Sequence, residues 1–241
     1  MFDPAFRLLE RFTFVLGLGA LALALPRIAQ AQIDEDELGA WYMYAWSAAL
    51  DDRSFGFQGD VQYRNWDRLG DLEQLLIRGG VTINPQGARH TFTFGVAHVT
   101  SGEFGSSSAT SRESRLYQEL LIPQTIGHKL YVTHRFRYEQ RWVDGQDLRT
   151  RLRYFLGLNF PLNRDSLGDG AIYLSFYNEL FANLEKNIGD GRRVDAFDRN
   201  RAYLALGYAL SDDLRLQFGF MSQKTKTLRK QQLQFNVIQR F

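Results

Sequence analysis

The chain has 241 residues, with 29 Lys and Arg against 27 Asp and Glu, so its formal net charge is only +2. That balance argues against a general polyanion binder, which gains affinity by releasing counterions from a net basic surface, and no nucleic-acid partner is expected. Cysteine is absent, which excludes disulfides, thiolate metal sites and cysteine nucleophiles.

The N-terminus reads as an export signal. "MFDPAFRLLERF" carries Arg7 and Arg11, the apolar run "TFVLGLGALALAL" follows, and Ala29-Gln30-Ala31 supplies the small-x-small pattern that signal peptidase reads. The run is about 13 residues, short of the roughly 20 that a spanning helix needs. The pattern predicts a signal peptide over 1–31, cleaved after Ala31, and an exported domain over 32–241. An uncleaved anchor helix is the alternative, and Asp3 and Glu10 are atypical of a signal.

Beyond Leu38 almost every segment alternates with period 2. Eleven segments follow in order: 39–50, 55–66, 73–83, 91–100, 115–123, 129–142, 148–160, 171–183, 199–210, 214–222 and 230–241. Each is about 9–14 residues, longer than the usual ~5–6 of a globular strand and matched to a tilted strand crossing a bilayer. Turn-forming joints such as "LDDRS", "NPQGAR", "PLNRDSLGDG" and "LSDDL" separate them.

The two faces of each segment differ. In the sixth, Val132, Phe136, Tyr138 and Trp142 oppose Thr133, Arg135, Arg137, Glu139 and Arg141; in the seventh, Leu152, Tyr154, Leu156, Leu158 and Phe160 oppose Arg149, Arg151 and Arg153. In a soluble sandwich the apolar face is the core, whereas in an outer-membrane barrel it meets lipid and the polar face lines the lumen. The export signal and the strand lengths select the barrel: all-β, transmembrane, antiparallel and up-and-down. The last segment, "KQQLQFNVIQRF", aligns Leu233, Phe235, Val237 and Phe241 on one face and ends on an aromatic. Such an ending is similar to the C-terminal strand that the barrel-assembly machinery recognises, with Phe235, Val237 and Phe241 as its signal. Bacterial single-chain barrels carry an even number of strands, so the expectation is 10–12 strands with 12 favoured, despite eleven counted. A periplasmic C-terminus places the joints containing "SGEFGSSSATSRES", "VDGQD" and "NLEKNIGDGRRVDAFD" outside the cell.

The ordered phrases "EQLLIRGG", "SRLYQELL", "RFRYEQRW", "RLRYFLGLNFPL", "YNELFAN" and "FDRNRAYLALGY" resemble a bacterial family catalogued as domain of unknown function 2490, over Trp41 to the C-terminus. The resemblance implies an exported outer-membrane barrel with lipid around it. It brings no activity, solute or catalytic residue.

Glu119, Arg135, Arg137, Glu139, Arg141, Arg149, Arg151, Arg153, Glu179, Arg199 and Arg201 form the expected lumen charge network. Pairing across the wall accounts for it; a selectivity ring for anions is the functional reading. Tyr177, Asn183, Asp198 and Asn200 flank the longest external joint and make a candidate polar cluster at the outer mouth. Trp41, Tyr42, Tyr44, Trp46, Trp66 and Trp142 read as girdle aromatics. The four histidines, His90, His98, His128 and His134, show no metal-ligand spacing, and no cofactor is expected. A lipid-modifying barrel enzyme needs a Ser–His pair, and His98 with Ser101 falls on opposite faces. The expected role is a structural or narrow, pore-like barrel; a lipid enzyme and a secreted soluble β-barrel or sandwich are the alternatives.

Overall fold

The computed structural model describes residues 38–50, 54–86 and 88–241, so the predicted signal peptide lies outside the described residues. Eleven strands follow one another: β1 (Gly39–Ala49), β2 (Phe55–Asn65), β3 (Leu72–Ile83), β4 (Thr91–Gly102), β5 (Thr110–Ile126), β6 (Leu130–Val143), β7 (Arg149–Pro161), β8 (Ile172–Asn183), β9 (Phe197–Ala209), β10 (Leu214–Lys224) and β11 (Arg229–Arg240). Sequential neighbours pair antiparallel, and the sheet closes on itself through β1 and β11. One closed barrel replaces the two-sheet sandwich alternative.

The favoured count of twelve is wrong, and so is uniform antiparallelism. Eleven up-and-down strands bring β1 and β11 together in the same direction, and they pair in parallel from Gly39↔Gln232 to Ser47↔Arg240. Parallel pairing still satisfies the backbone groups of both edge strands, which an open sheet would leave unpaired. An odd count has a geometric consequence. The start of β1 lies at the end of the barrel that carries segments 66–71, 103–109, 144–148, 184–196 and 225–228, and the chain finishes at the opposite end.

Strand limits follow local chemistry. Gly127 and Gly145 take φ of +61° and +65° in the tight β5–β6 and β6–β7 turns, a left-handed geometry that side chains resist. Pro123 does not end β5, contrary to the expected limit. Pairing of β5 with β4 stops at Leu121, while pairing with β6 runs on to Ile126↔Leu130. Residue 123 therefore has a neighbour on one side only, and proline, lacking an N–H, is tolerated on such an edge.

The alternation holds around the wall. Phe94, Val96, Phe136, Leu152, Leu204 and Phe220 project outward and are exposed, whereas Glu119, Arg137, Glu139, Arg151 and Arg201 project inward and are buried. Large rings fill the interior beside small partners. Tyr117 lies over its cross-strand partner Gly95, and Tyr173 over Gly207, so that a Cβ on either glycine would collide with the ring. Gly207→Ala is therefore expected to destabilise the barrel by about 1–3 kcal/mol through overpacking. Gly79→Ala, where a Cβ meets only ordinary contacts, is expected to stay within about 0.5 kcal/mol of wild type. Urea unfolding of the purified, folded protein checks both.

Candidate functional site in the barrel lumen

Register decides which charges meet. The odd positions of β5 to β9 face inward, and direct cross-strand opposition produces Glu119↔Arg137, Glu139↔Arg151 and Glu179↔Arg201, but also Arg137↔Arg153 and Arg141↔Arg149. Like charges placed opposite repel. Diagonal contacts relieve the repulsion, because Glu113, Glu139 and Glu179 each accept from two arginines and Glu119 lies within ion-pair distance of two.

The result is a continuous chain of ion pairs. Asp198 accepts from Arg151 at 2.6 Å, and Arg151 Nε also donates to Glu139 at 2.9 Å. Glu139 accepts from Arg153 at 2.7 Å, Arg153 reaches Glu179 at 2.6 Å, and Glu179 accepts from Arg135 at 2.7 Å. Arg135 lies 3.6 Å from Glu119, which binds Arg137. Beside the chain, Glu113 takes Arg115 at 2.6 Å together with Arg141, and Asp60 takes Arg78 at 2.5 Å. Arginine suits these places because it stays charged and its planar fork can serve two carboxylates. Aromatic rings supply further contacts: Arg137 stacks over Tyr117, and Arg153 over Phe181.

The expected network residues are thus brought together, with two exceptions. Arg149 and Arg201 form no ion pair within 4 Å among the described residues, and Arg199 pairs only with its neighbour Asp198. Asp60, Arg64, Arg78, Glu113 and Arg115 also belong to the lumen and were not foreseen. Glu113 fell before the expected start of its strand, and the second and third segments show fewer charges to betray a polar face.

The expected mouth cluster does not assemble. Asp198 joins the ion-pair chain, while Asn183 donates to the Asp195 carbonyl at 2.9 Å. Asn200 pairs with Asn178, and Tyr177 lies deeper, bonded to Gln234 and stacked on Tyr203. Trp41 is not a girdle residue. It is buried inside the barrel, where its Nε1 donates to Glu73 at 2.9 Å. Its parity carried the signal: Tyr42, Tyr44 and Trp46 share one face of β1, and Trp41 takes the other. The 184–196 loop is pinned at its root by Glu185, whose carboxylate accepts from the Thr150 backbone at 2.5 Å and from its hydroxyl. Desolvation opposes the charge on Glu185, but these hydrogen bonds outweigh it and hold the carboxyl below its ordinary range.

The interior is basic on balance. Buried carboxylates are Asp60, Glu73, Glu113, Glu119, Glu139 and Glu179; buried bases are Arg64, Arg115, Arg137, Arg141, Arg151, Arg153, Arg201 and Lys230. Half-buried Arg78, Arg135 and Arg199 add to the positive side and half-buried Asp198 to the negative, around a cavity of about 460 Å³. The outward face offers one Ser–His juxtaposition, His98 opposite Ser114. No hydrogen bond joins the two and neither bonds a carboxylate among the described residues, so they do not form a nucleophile–base pair. Ser175 is buried and contacts Gln217. Among the described residues no group of three His, Asp or Glu side chains is placed to hold a metal ion.

Closure, inverted polarity and an ion-paired interior define the class: an eleven-stranded β-barrel with a charged lumen. Within that class the chain belongs to the family described as protein of unknown function (DUF2490), which it matches over residues 38–234. An uncharacterized protein of Methylorubrum extorquens is similar to it, 31% identical over 182 residues that cover 72% of this chain and 75% of the relative. No solved structure matches the chain significantly.

Removing one member of a buried pair leaves an uncompensated charge, which typically costs about 3–5 kcal/mol. Glu139→Gln strips Arg151 and Arg153 of a shared partner and is expected to destabilise the barrel by about that amount. Asp195→Asn, which breaks the exposed Lys226 pair, is expected to cost about 1 kcal/mol or less. Urea unfolding of each variant measures the contrast.

Proposed function

We propose that this chain is an exported outer-membrane β-barrel whose lumen is a narrow, anion-preferring passage constricted by its own arginine–glutamate network. The observation that carries the reading is the inverted polarity of the wall. Exposed Phe, Leu and Val side chains encircle the outside while the charges are buried within. A contiguous apolar surface on that scale is unfavourable in water and favourable against lipid. The interior excess of arginine over carboxylate supports anion preference, since a low-dielectric wall focuses the field of unbalanced charge. The same side chains project into the bore, which supports low conductance.

In this reading the C-terminal strand engages the assembly machinery through Phe235, Val237 and Phe241. Phe235 and Phe241 are exposed on the outward face. With the C-terminus in the periplasm, the 184–196 loop and the start of β1 both lie on the cell surface, a consequence of the odd strand count.

Planar-bilayer recording tests the passage. The expected result is a small, anion-selective conductance that Arg137→Glu shifts toward cations. Cation preference in wild type, or unchanged selectivity in a folded Arg137→Glu protein, contradicts the reading. The orientation is checked with epitope tags in intact cells: tags at residue 38 and within 184–196 are expected to label from outside, and a tag in the 162–171 joint, at the end where the chain finishes, is not. Labelling of the 162–171 tag alone reverses it.

A further inference from the structure

The ion-pair chain leaves two buried arginines without a carboxylate. Arg64 donates only to neutral side chains, Gln74 at 2.6 Å and Gln62 at 3.2 Å. Arg201 donates from Nε to Gln223 at 2.8 Å, and its terminal nitrogens have no hydrogen-bond partner among the described residues. Both guanidinium groups lie against one ring: their Cζ atoms are 3.9 and 4.7 Å from the centroid of Trp41. The neighbouring strands β1 and β2 and the sequence-distant β9 therefore bring two cations to one indole near the loop-rich end.

Neighbouring carboxylates are committed elsewhere. Glu73 accepts from Trp41 and Gln232, and Glu179 accepts from Arg135 and Arg153. Glu73 and Glu179 act on them only through space, so two like charges lie buried side by side without a directly bonded counterion, and an indole face offsets only part of the cost. Both arginines and Trp41 line the cavity of about 460 Å³, together with Phe155 and Tyr177. Cations and aromatic rings around a space of that size suit a ligand that is anionic at one end and flat or apolar at the other.

We propose that Arg64, Arg201 and Trp41 form a binding site for a small soluble organic anion, its phosphate or carboxylate between the guanidinium groups and its apolar body against the rings. The site deepens the anion-preferring lumen and rests on that reading, but on two arginines rather than on the whole basic interior. Selectivity in bilayers, set by all the lumen charges, survives loss of the site, whereas ligand binding does not.

Isothermal titration of the detergent-folded protein with phenyl phosphate, benzoate, inorganic phosphate and benzyl alcohol is the test. Phenyl phosphate and benzoate are expected to bind saturably, inorganic phosphate more weakly, and benzyl alcohol not at all. Arg201→Gln and Arg64→Gln are each expected to weaken phenyl phosphate binding by about tenfold or more, the effect of losing one charge-assisted contact. Lys226→Gln, in the exposed 225–228 turn, is expected to leave it unchanged. Folding of each variant is confirmed by heat-modifiable migration on gels, and Arg64→Lys, which keeps the charge, is expected to fold and to bind between the two extremes. Absence of saturable binding in wild type, equal binding of the neutral alcohol, or unaltered affinity in folded Arg64→Gln and Arg201→Gln overturns the proposal.

Discussion

Charge pairing across strands is the constraint on which the barrel depends. A guanidinium inside a narrow, low-dielectric wall is unfavourable unless a carboxylate lies within reach, and the side-chain period of two decides which residues share that interior. Glu139 illustrates the solution. It stands opposite Arg151 and diagonal to Arg153, so one carboxylate compensates two cations and offsets the like-charge opposition of Arg137 and Arg153. Repeating the device at Glu113, Glu119 and Glu179 links β5 to β8, and the Arg151–Asp198 pair extends the chain to β9. A one-residue slip of β6 against β7 would expose the arginines and bury Phe136 and Tyr138, so the network also specifies register.

Closure imposes the second constraint. Eleven strands can join only through a parallel pair, and the seam is reinforced on both faces. Outside, Tyr42 stacks on Phe235 at 5.5 Å between ring centroids. Inside, Glu73 accepts from Trp41 of β1 and from Gln232 of β11, spanning the seam with hydrogen bonds. These contacts are tied to the proposed ligand site, because Trp41 serves the seam through its nitrogen and the two unpaired arginines through its ring.

Much of this was legible in the residues. Alternation placed the inward arginines of β6 and β7, and the segment count of eleven agrees with the structure. The general rule of even parity favoured twelve because closing register joins residues nearly the whole chain apart, which local pattern does not encode. Pro123 and Ser114 read as strand ends, although β5 starts at Thr110 and runs on to Ile126 because it keeps a partner on at least one side. The lumen role of Arg135 to Arg153 was visible because those charges are dense. Arg64, Asp60 and Arg78 stand singly among glutamines and glycines, so their convergence emerges only when β2, β3 and β9 are wrapped around one interior. The mouth cluster failed for a related reason: Asp198 and Asn200 are two residues apart yet separated by Arg199, and they make their contacts with different strands.

Family membership gives the barrel relatives but no activity, so the proposed membrane role rests on whether the apolar outer face meets lipid. The natural chain contains no cysteine, which makes single-cysteine spin labelling clean. Labels placed one at a time from position 133 to 142 in the vesicle-embedded protein, probed with oxygen and with a water-soluble nickel complex, measure that face directly. The account predicts an alternation of period two, with positions 136, 138 and 142 open to oxygen and shielded from nickel. Nickel access at positions 136 and 138 equal to that of an exposed loop would contradict it.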